Sequence, residues 1–266
     1  MHLLFVDIVE PTGWSDFREG RLVARSLRFK LKWDMVYQSN PEMSRFQPGA
    51  SGQFGKTGVD YETSFRRAKR LLRRLRTTRA GSAKQLADMI RAKPPTVLYL
   101  CAHGVIDGNQ TRFEGHTART KILLGHLAKK LKKTDLSSTC VVSSVCEFGS
   151  ETAIKQLKRV GFGTVIGWPK CTCMTETSAF NTDFFEALAF QYVLTLEDAE
   201  DALLPTWVKR AFSYASANLK SRYGNCDEVF GKPLGAKGNA GYYLHTRPWK
   251  RDYGARPVLW TNARGK

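Results

Sequence analysis

The sequence predicts a three-layer α/β domain, with a mainly parallel central sheet, helices on both faces and a β-rich C-terminal elaboration. Two observations carry this. Continuous apolar, β-branched runs at 96–102, 139–145 and 163–168 have the composition of strands buried on both faces. Helical patterns separate them, which is the alternation that a parallel sheet requires. With 266 residues the chain is long enough for one large core, and the whole span 1–266 reads as a single domain without internal repeats.

Taken in order, residues 3–9 form a short β-rich run that stops at Glu10-Pro11-Thr12-Gly13. Residues 22–31 read as a basic amphipathic helix, and 33–38 (WDMVYQ) as a second strand. The stretch 40–60 is rich in Gly, Pro, Ser and Gln and has no periodicity, so a long surface loop is expected there. Helices follow over 61–76 and 82–92, the second with Leu86, Met89 and Ile90 on one stripe. Pro94-Pro95 breaks the chain before the buried strand 96–102, which ends at His103-Gly104. A polar loop and a helix over 120–132 lead to the strand 139–145, which ends at Cys146. Ser150 is placed to cap a helix over 151–159 that stops at Gly161. After the strand 163–168 come helices over 177–196 and 205–223. The tail 224–266 is Gly- and aromatic-rich, with β-like runs at 241–246 and 256–261.

Composition excludes several classes. The apolar N-terminal run is broken by Asp7 and Glu10 and lacks a basic leader, so it does not read as a signal peptide. No apolar stretch approaches the roughly 18 residues of a membrane span. Six irregularly spaced cysteines do not make a disulfide framework, and a reducing, cytoplasmic setting is expected. Cys171-x-Cys173, even with Cys226 and the histidines, lacks zinc-ligand spacing, so neither a metal nor a cofactor is expected. His116 and His126 lie beside no candidate nucleophile.

The formal net charge of +18 is unusual. Much of it sits in 66–76, where Arg66, Arg67, Lys69, Arg70, Arg73, Arg74 and Arg76 surround Leu71, Leu72 and Leu75. The ordinary reading is a solvated helix face; the alternative is a docking surface for an acidic partner. A nucleic-acid partner rests on charge alone, since no aromatic-interleaved basic motif accompanies it.

The chemistry points to two strand ends. Reactive groups of an open parallel sheet gather beyond the carboxyl ends of its strands. One buried strand ends at His103 and the next at Cys146. If those strands are neighbours, both side chains enter one crevice, where an imidazole can take the proton of a thiol and make it nucleophilic. Acyl chemistry also needs N–H donors for the oxyanion. Gly104, with no side chain in the way, and the N–H of Cys146 are the candidates. Singly, a Cys is usually a small core residue and a His a structural one. Their joint placement, next to the polar Ser143-Ser144, favours a site.

Cys101-Ala102-His103-Gly104 after one strand and Ser144-Val145-Cys146-Glu147-Phe148-Gly149 after another resemble the His-Gly and Ser-Ala-Cys-Glu-Thr-Gly motifs of CHAT-domain peptidases, part of the caspase, gingipain and separase fold group. Residues 159–169 (RVGFGTVIGWP) and 181–188 (NTDFFEAL) are similar to later segments of that family, so the resemblance spans about residues 95–190. It implies a caspase-like fold and a cysteine endopeptidase acting on a protein substrate, with Cys146 as nucleophile, His103 as base and Gly104 in the oxyanion hole. Ser144, Trp168 and Lys170 become candidate subsite residues, and Asp7 a candidate acidic contact for a basic residue at the cleavage point. A stand-alone peptidase of this kind resembles bacterial defence effectors that mature a partner such as a gasdermin-like pore former. The chain departs from the family where Lys170-Cys171-Thr172-Cys173 replaces an acidic pair and where Val145 and Phe148 replace smaller residues. The competing classes are a non-catalytic interaction module of the same fold and a basic nucleic-acid binder.

Overall fold

The computed structural model describes residues 1–8, 19–39, 61–108, 110–115, 120–170, 174–194, 200–223 and 256–261. The expected loop 40–60, the β-like run 241–246, His116, Cys171, Cys173 and Cys226 lie outside these residues. The described part of the chain is an α/β structure around a six-stranded sheet of order β2-β1-β3-β7-β8-β9. Its strands are β1 (Leu3–Ile8), β2 (Leu75–Ala80), β3 (Val97–Cys101), β7 (Cys140–Ser143), β8 (Thr164–Gly167) and β9 (Val258–Thr261). All pairings are parallel except that of β9 on β8.

Side chains alternate across each strand, and the alternation sorts the core into two halves. On one face Leu3, Phe5, Val97, Tyr99, Cys140, Val142, Ile166 and Trp168 meet the helices α1 (Glu19–Ser39), α2 (Tyr61–Arg74), α6 (Met174–Val193) and α7 (Glu200–Tyr223). On the other, Leu4, Val6, Leu98, Leu100, Val141 and Val165 meet α3 (Ala83–Ala92), α4 (Leu124–Leu131) and α5 (Glu151–Val160). The expected three layers are therefore present. The expected caps Ser150 and Gly161 are present, and Ser82, expected within its helix, caps it instead. Ser82 accepts from the Gln85 amide, Ser150 from the Ala153 amide, and Gly161 closes α5 in the left-handed region (φ 98°).

Several sequence expectations are corrected. Residues 33–38 continue α1 as helix rather than forming a strand; an apolar run that short fits either state. The basic helix ends at Arg74, and Leu75-Arg76 opens the edge strand β2, in which only the end residues Leu75 and Ala80 are buried. Arg67 points inward, only 9% exposed, so the solvated face of α2 is Arg66, Lys69, Arg70 and Arg73. The polar segment after His103 is no loop but a small antiparallel sheet of β4 (His103–Asp107), β5 (Gln110–Glu114) and β6 (Lys121–Leu123), which takes the first residues of the helix expected from 120. The last helix begins at Glu200 and carries Pro205 within it. No helix among the described residues is long and apolar enough to cross a membrane.

Candidate active site

The sheet brings the two candidate strand ends together. β3 and β7 are adjacent and parallel, with Leu100 opposite Ser143, and the ladder extends one step as the Ser144 amide donates to the Leu100 carbonyl (3.1 Å). His103 lies two residues beyond the end of β3, and Cys146 three residues beyond the end of β7. Both are half-buried, and Cys146 is not in a disulfide. By contrast, Cys101 and Cys140 are buried, and burial pushes both thiols far above the ordinary range. Of these three cysteines, only Cys146 has the exposure a nucleophile needs.

Gly104 fixes how closely the segments approach. A Cβ at this position would overlap the Cys146 carbonyl oxygen and come within 2.6 Å of Val145 Cγ1. Main chain therefore packs on main chain between the two halves of the candidate dyad, and only glycine fits. The direction of the Gly104 amide follows from the β4–β5 ladder, where Ile106 faces Thr111 and Gly104 faces Phe113. The Ile106 amide donates to Glu147 Oε2 (3.1 Å) and the Thr111 amide to Gln156 Oε1 (3.2 Å), so this pair exchanges no ladder bonds. Antiparallel pairs alternate, which makes Gly104–Phe113 a second pair of the same kind. The Gly104 amide thus leaves β4 on the same edge as that of Ile106, toward the turn that carries Cys146. Gly104→Ala is expected to fold poorly, because the obstacle is backbone. Overpacking of this kind costs about 1–3 kcal/mol, or a fall in Tm of roughly 2–12 °C, read by calorimetry.

The turn after the thiol is tight. Glu147 sits at φ 61°, the lone non-glycine with positive φ among the described residues. Its amide donates to the Lys170 carbonyl (3.3 Å), and the Gly149 amide donates to the Trp168 carbonyl (2.9 Å). Lys170 is exposed and Trp168 is a core residue, 1% exposed, edge-on to Phe180. Both candidate subsite residues therefore meet the nucleophile's turn through their main chains. Across the small sheet, Glu114 faces His103 and pairs with Arg112 (2.6 Å).

At the same strand ends, with Cys101 and Ser144 two residues before His103 and Cys146, lies a buried polar floor that the sequence only half displays. On the α1/α6 face the alternation that buries Phe5, Tyr99 and Val142 places Asp7, Cys101 and Ser144 next along their chains. Asp7 pairs with Cys101 in register, and Cys101 lies beside Ser144. Asp7 Oδ1 accepts from the Gly20 amide (2.9 Å), at a place where a Cβ on Gly20 would press on that oxygen at 2.6 Å. Glu19, at the start of α1 and 4% exposed, completes the floor. Its carboxyl takes Asn181 Nδ2 (3.3 Å) and stands 3.9 Å from Cys101 Sγ. Asn181 Nδ2 also donates to the Tyr99 hydroxyl (3.1 Å). Ser144 Oγ is close enough to ease the Glu19 pKa down, without the geometry of a full hydrogen bond. Burial dominates, however, and raises the Glu19 pKa; the neighbours that lower it are the neutral side chains of Ser144, Tyr99, Asn181 and Ser178. Burial, with Glu19 next, likewise holds the Tyr99 hydroxyl well above its usual range.

Sequence reasoning placed Asp7 and Ser144 here but missed Glu19, Tyr99 and Asn181. A carboxylate opening a helix reads as an ordinary N-terminal residue, and nothing local reveals that this one is buried. No protein-family model and no curated protein matches the chain.

Proposed function

We propose that the chain is a caspase-like cysteine endopeptidase, with Cys146 as nucleophile, His103 as general base and the Gly104 amide as an oxyanion donor. The observation that carries this reading is the packing of Gly104 against the Cys146 main chain, at the carboxyl ends of adjacent parallel strands. In that arrangement the imidazole takes the thiol proton, the thiolate attacks a peptide carbonyl, and a thioester forms as the amine leaves with the proton. Water then releases the acid. The buried acids Asp7 and Glu19 favour a substrate with a basic residue at the cleavage point. Ser144 and the main chains around Trp168 and Lys170 contribute the remaining subsite contacts.

Cleavage of a randomised peptide library tests the reading. Cuts by wild type that vanish with Cys146→Ala support it; an identical pattern from both proteins overturns it. A role as a bacterial defence protease acting on a pore-forming or regulatory partner in the cytoplasm belongs to the same reading, and rests on the motif resemblance alone. A non-catalytic interaction module would not need a glycine packed directly on the main chain of a half-buried cysteine.

The basic face of α2 suits an acidic region of a protein substrate remote from the scissile bond. Reversing Arg66, Arg70 and Arg73 to Glu is expected to lower kcat/KM on such a full-length substrate by about tenfold at low salt, with the difference shrinking as salt rises. A short peptide spanning the cut should be cleaved at the wild-type rate. Equal losses on both substrates would make α2 a structural element only.

A further inference from the structure

Glu147 is the residue that the proposed chemistry does not explain. It occupies the left-handed region at φ 61°, a conformation that glycine adopts freely and a glutamate resists. Selection for backbone ease alone would place Gly or Asn there. What a glutamate adds is its carboxylate, and that group reaches across to β4, where Oε2 accepts the Ile106 amide at 3.1 Å. The contact ties the nucleophile's own turn to the strand that carries Gly104, 41 residues away in sequence from Glu147 to Ile106.

The amides of Ile106 and Gly104 emerge from the same edge of β4, one pair apart in a ladder whose other edge is occupied by β5. Anchoring the first therefore sets the roll of the strand and with it the aim of the second. The peptide N–H of Glu147 is held in turn by the Lys170 carbonyl, and its carbonyl accepts the Ser150 amide that opens α5. The main chain of Glu147 is thus fixed at two points, and the side chain transmits that fixity to β4.

We propose that Glu147 is a positioning residue whose carboxylate, by holding the Ile106 amide, aims the Gly104 amide at the oxyanion formed on attack by Cys146. It rests on the peptidase reading for its kinetic consequence but not for its structural one. An N–H that is misaimed by a fraction of an ångström leaves substrate binding and thiol activation intact and weakens only the contact made in the transition state.

Three variants separate this role from a plain tie. Glu147→Gly removes the carboxylate and relieves the backbone, so Tm should hold or rise. Its kcat on a fluorogenic peptide selected by wild type from the library should fall about a hundredfold, the usual loss of one oxyanion donor, with KM within about twofold. Glu147→Gln keeps an acceptor oxygen at the same reach and should retain most of kcat. Glu147→Asp is one methylene short and should resemble Glu147→Gly. Alkylation of Cys146 by iodoacetamide, which needs no oxyanion hole, should proceed at similar rates in wild type and Glu147→Gly. Amide hydrogen exchange by NMR reads the anchor without any substrate: Ile106 should lose protection in Glu147→Gly and keep it in Glu147→Gln. Unchanged kcat and unchanged Ile106 exchange in Glu147→Gly would overturn the inference, as would a fall in Tm that accounts for the lost activity. If neither wild type nor Cys146→Ala cuts any peptide, or both give the same pattern, the peptidase reading fails, while the exchange result still decides whether Glu147 holds β4.

Discussion

Cys146→Ala is expected to abolish peptide cleavage, and His103→Ala to lower kcat by about a hundredfold or more, the contribution of a positioned general base. Neither change should move Tm by more than a degree or two, because both side chains are half-buried at the rim of the sheet and outside its two core clusters. Thiol labelling gives a substrate-free check. Buried Cys101 and Cys140, with thiols held far above the ordinary pKa range, should resist iodoacetamide, whereas Cys146 should react. In wild type that reaction should persist to lower pH than in His103→Ala, since the imidazole stabilises the thiolate as a pair. Full cleavage by Cys146→Ala, or labelling of Cys146 no faster than that of Cys101, would remove the thiol from the chemistry.

The parts of the structure legible in the sequence are those fixed by local composition. β3, β7 and β8 are apolar on both faces, and a run such as Val97-Leu98-Tyr99-Leu100-Cys101 suits little besides a central strand. Ser150 and Gly161 bracket α5 because capping chemistry is local. That His103 and Cys146 follow two central strands was legible for the same reason, although β3 stops at Cys101 and β7 at Ser143, two and three residues short of them. β2 was hidden because an edge strand with Arg76 and Arg79 facing solvent has no apolar signature and continues the charge pattern of α2. The β4–β6 sheet was hidden because its strands are three to five residues long and half-polar. Arg67 was misjudged because helical period alone does not say which neighbour covers a face. Glu19 and Asn181 come from helices far apart in sequence, 162 residues between them, and meet only through the packing of α1 and α6 on the sheet.

Glu19→Gln is expected to have opposite effects on stability and activity. The carboxyl is buried, its raised pKa is caused first by desolvation, and Ser144, Tyr99, Asn181 and Ser178 compensate only in part. Below its ordinary value of 4.5 the acid holds its proton in both the folded and the unfolded chain, and the substitution should change little. As pH rises, the unfolded chain ionises freely while the folded one resists. Stability that Glu19 contributes at low pH is therefore lost as pH climbs through the folded-state pKa. Glutamine has no such dependence. The variant should match wild type near pH 4 and melt higher at pH 7.5, by about 3–6 °C for each 1.4 kcal/mol, or one unit, of pKa displacement. Activity should move the other way. A cationic side chain entering the floor formed by Asp7, Cys101, Ser144 and Glu19 supplies the positive charge that the four neutral neighbours of Glu19 do not, and a buried charge-assisted contact is worth about 1.5–3 kcal/mol. Glu19→Gln should thus reduce kcat/KM for a peptide with Arg or Lys at the cut by roughly ten- to a hundredfold and leave a neutral counterpart nearly unaffected. Wild-type kcat/KM for the basic peptide should itself rise with pH as Glu19 ionises. A variant that melts lower at pH 7.5 and cuts both peptides as wild type does would make Glu19 a structural hydrogen-bonding group, and the cationic preference would then rest on Asp7 alone.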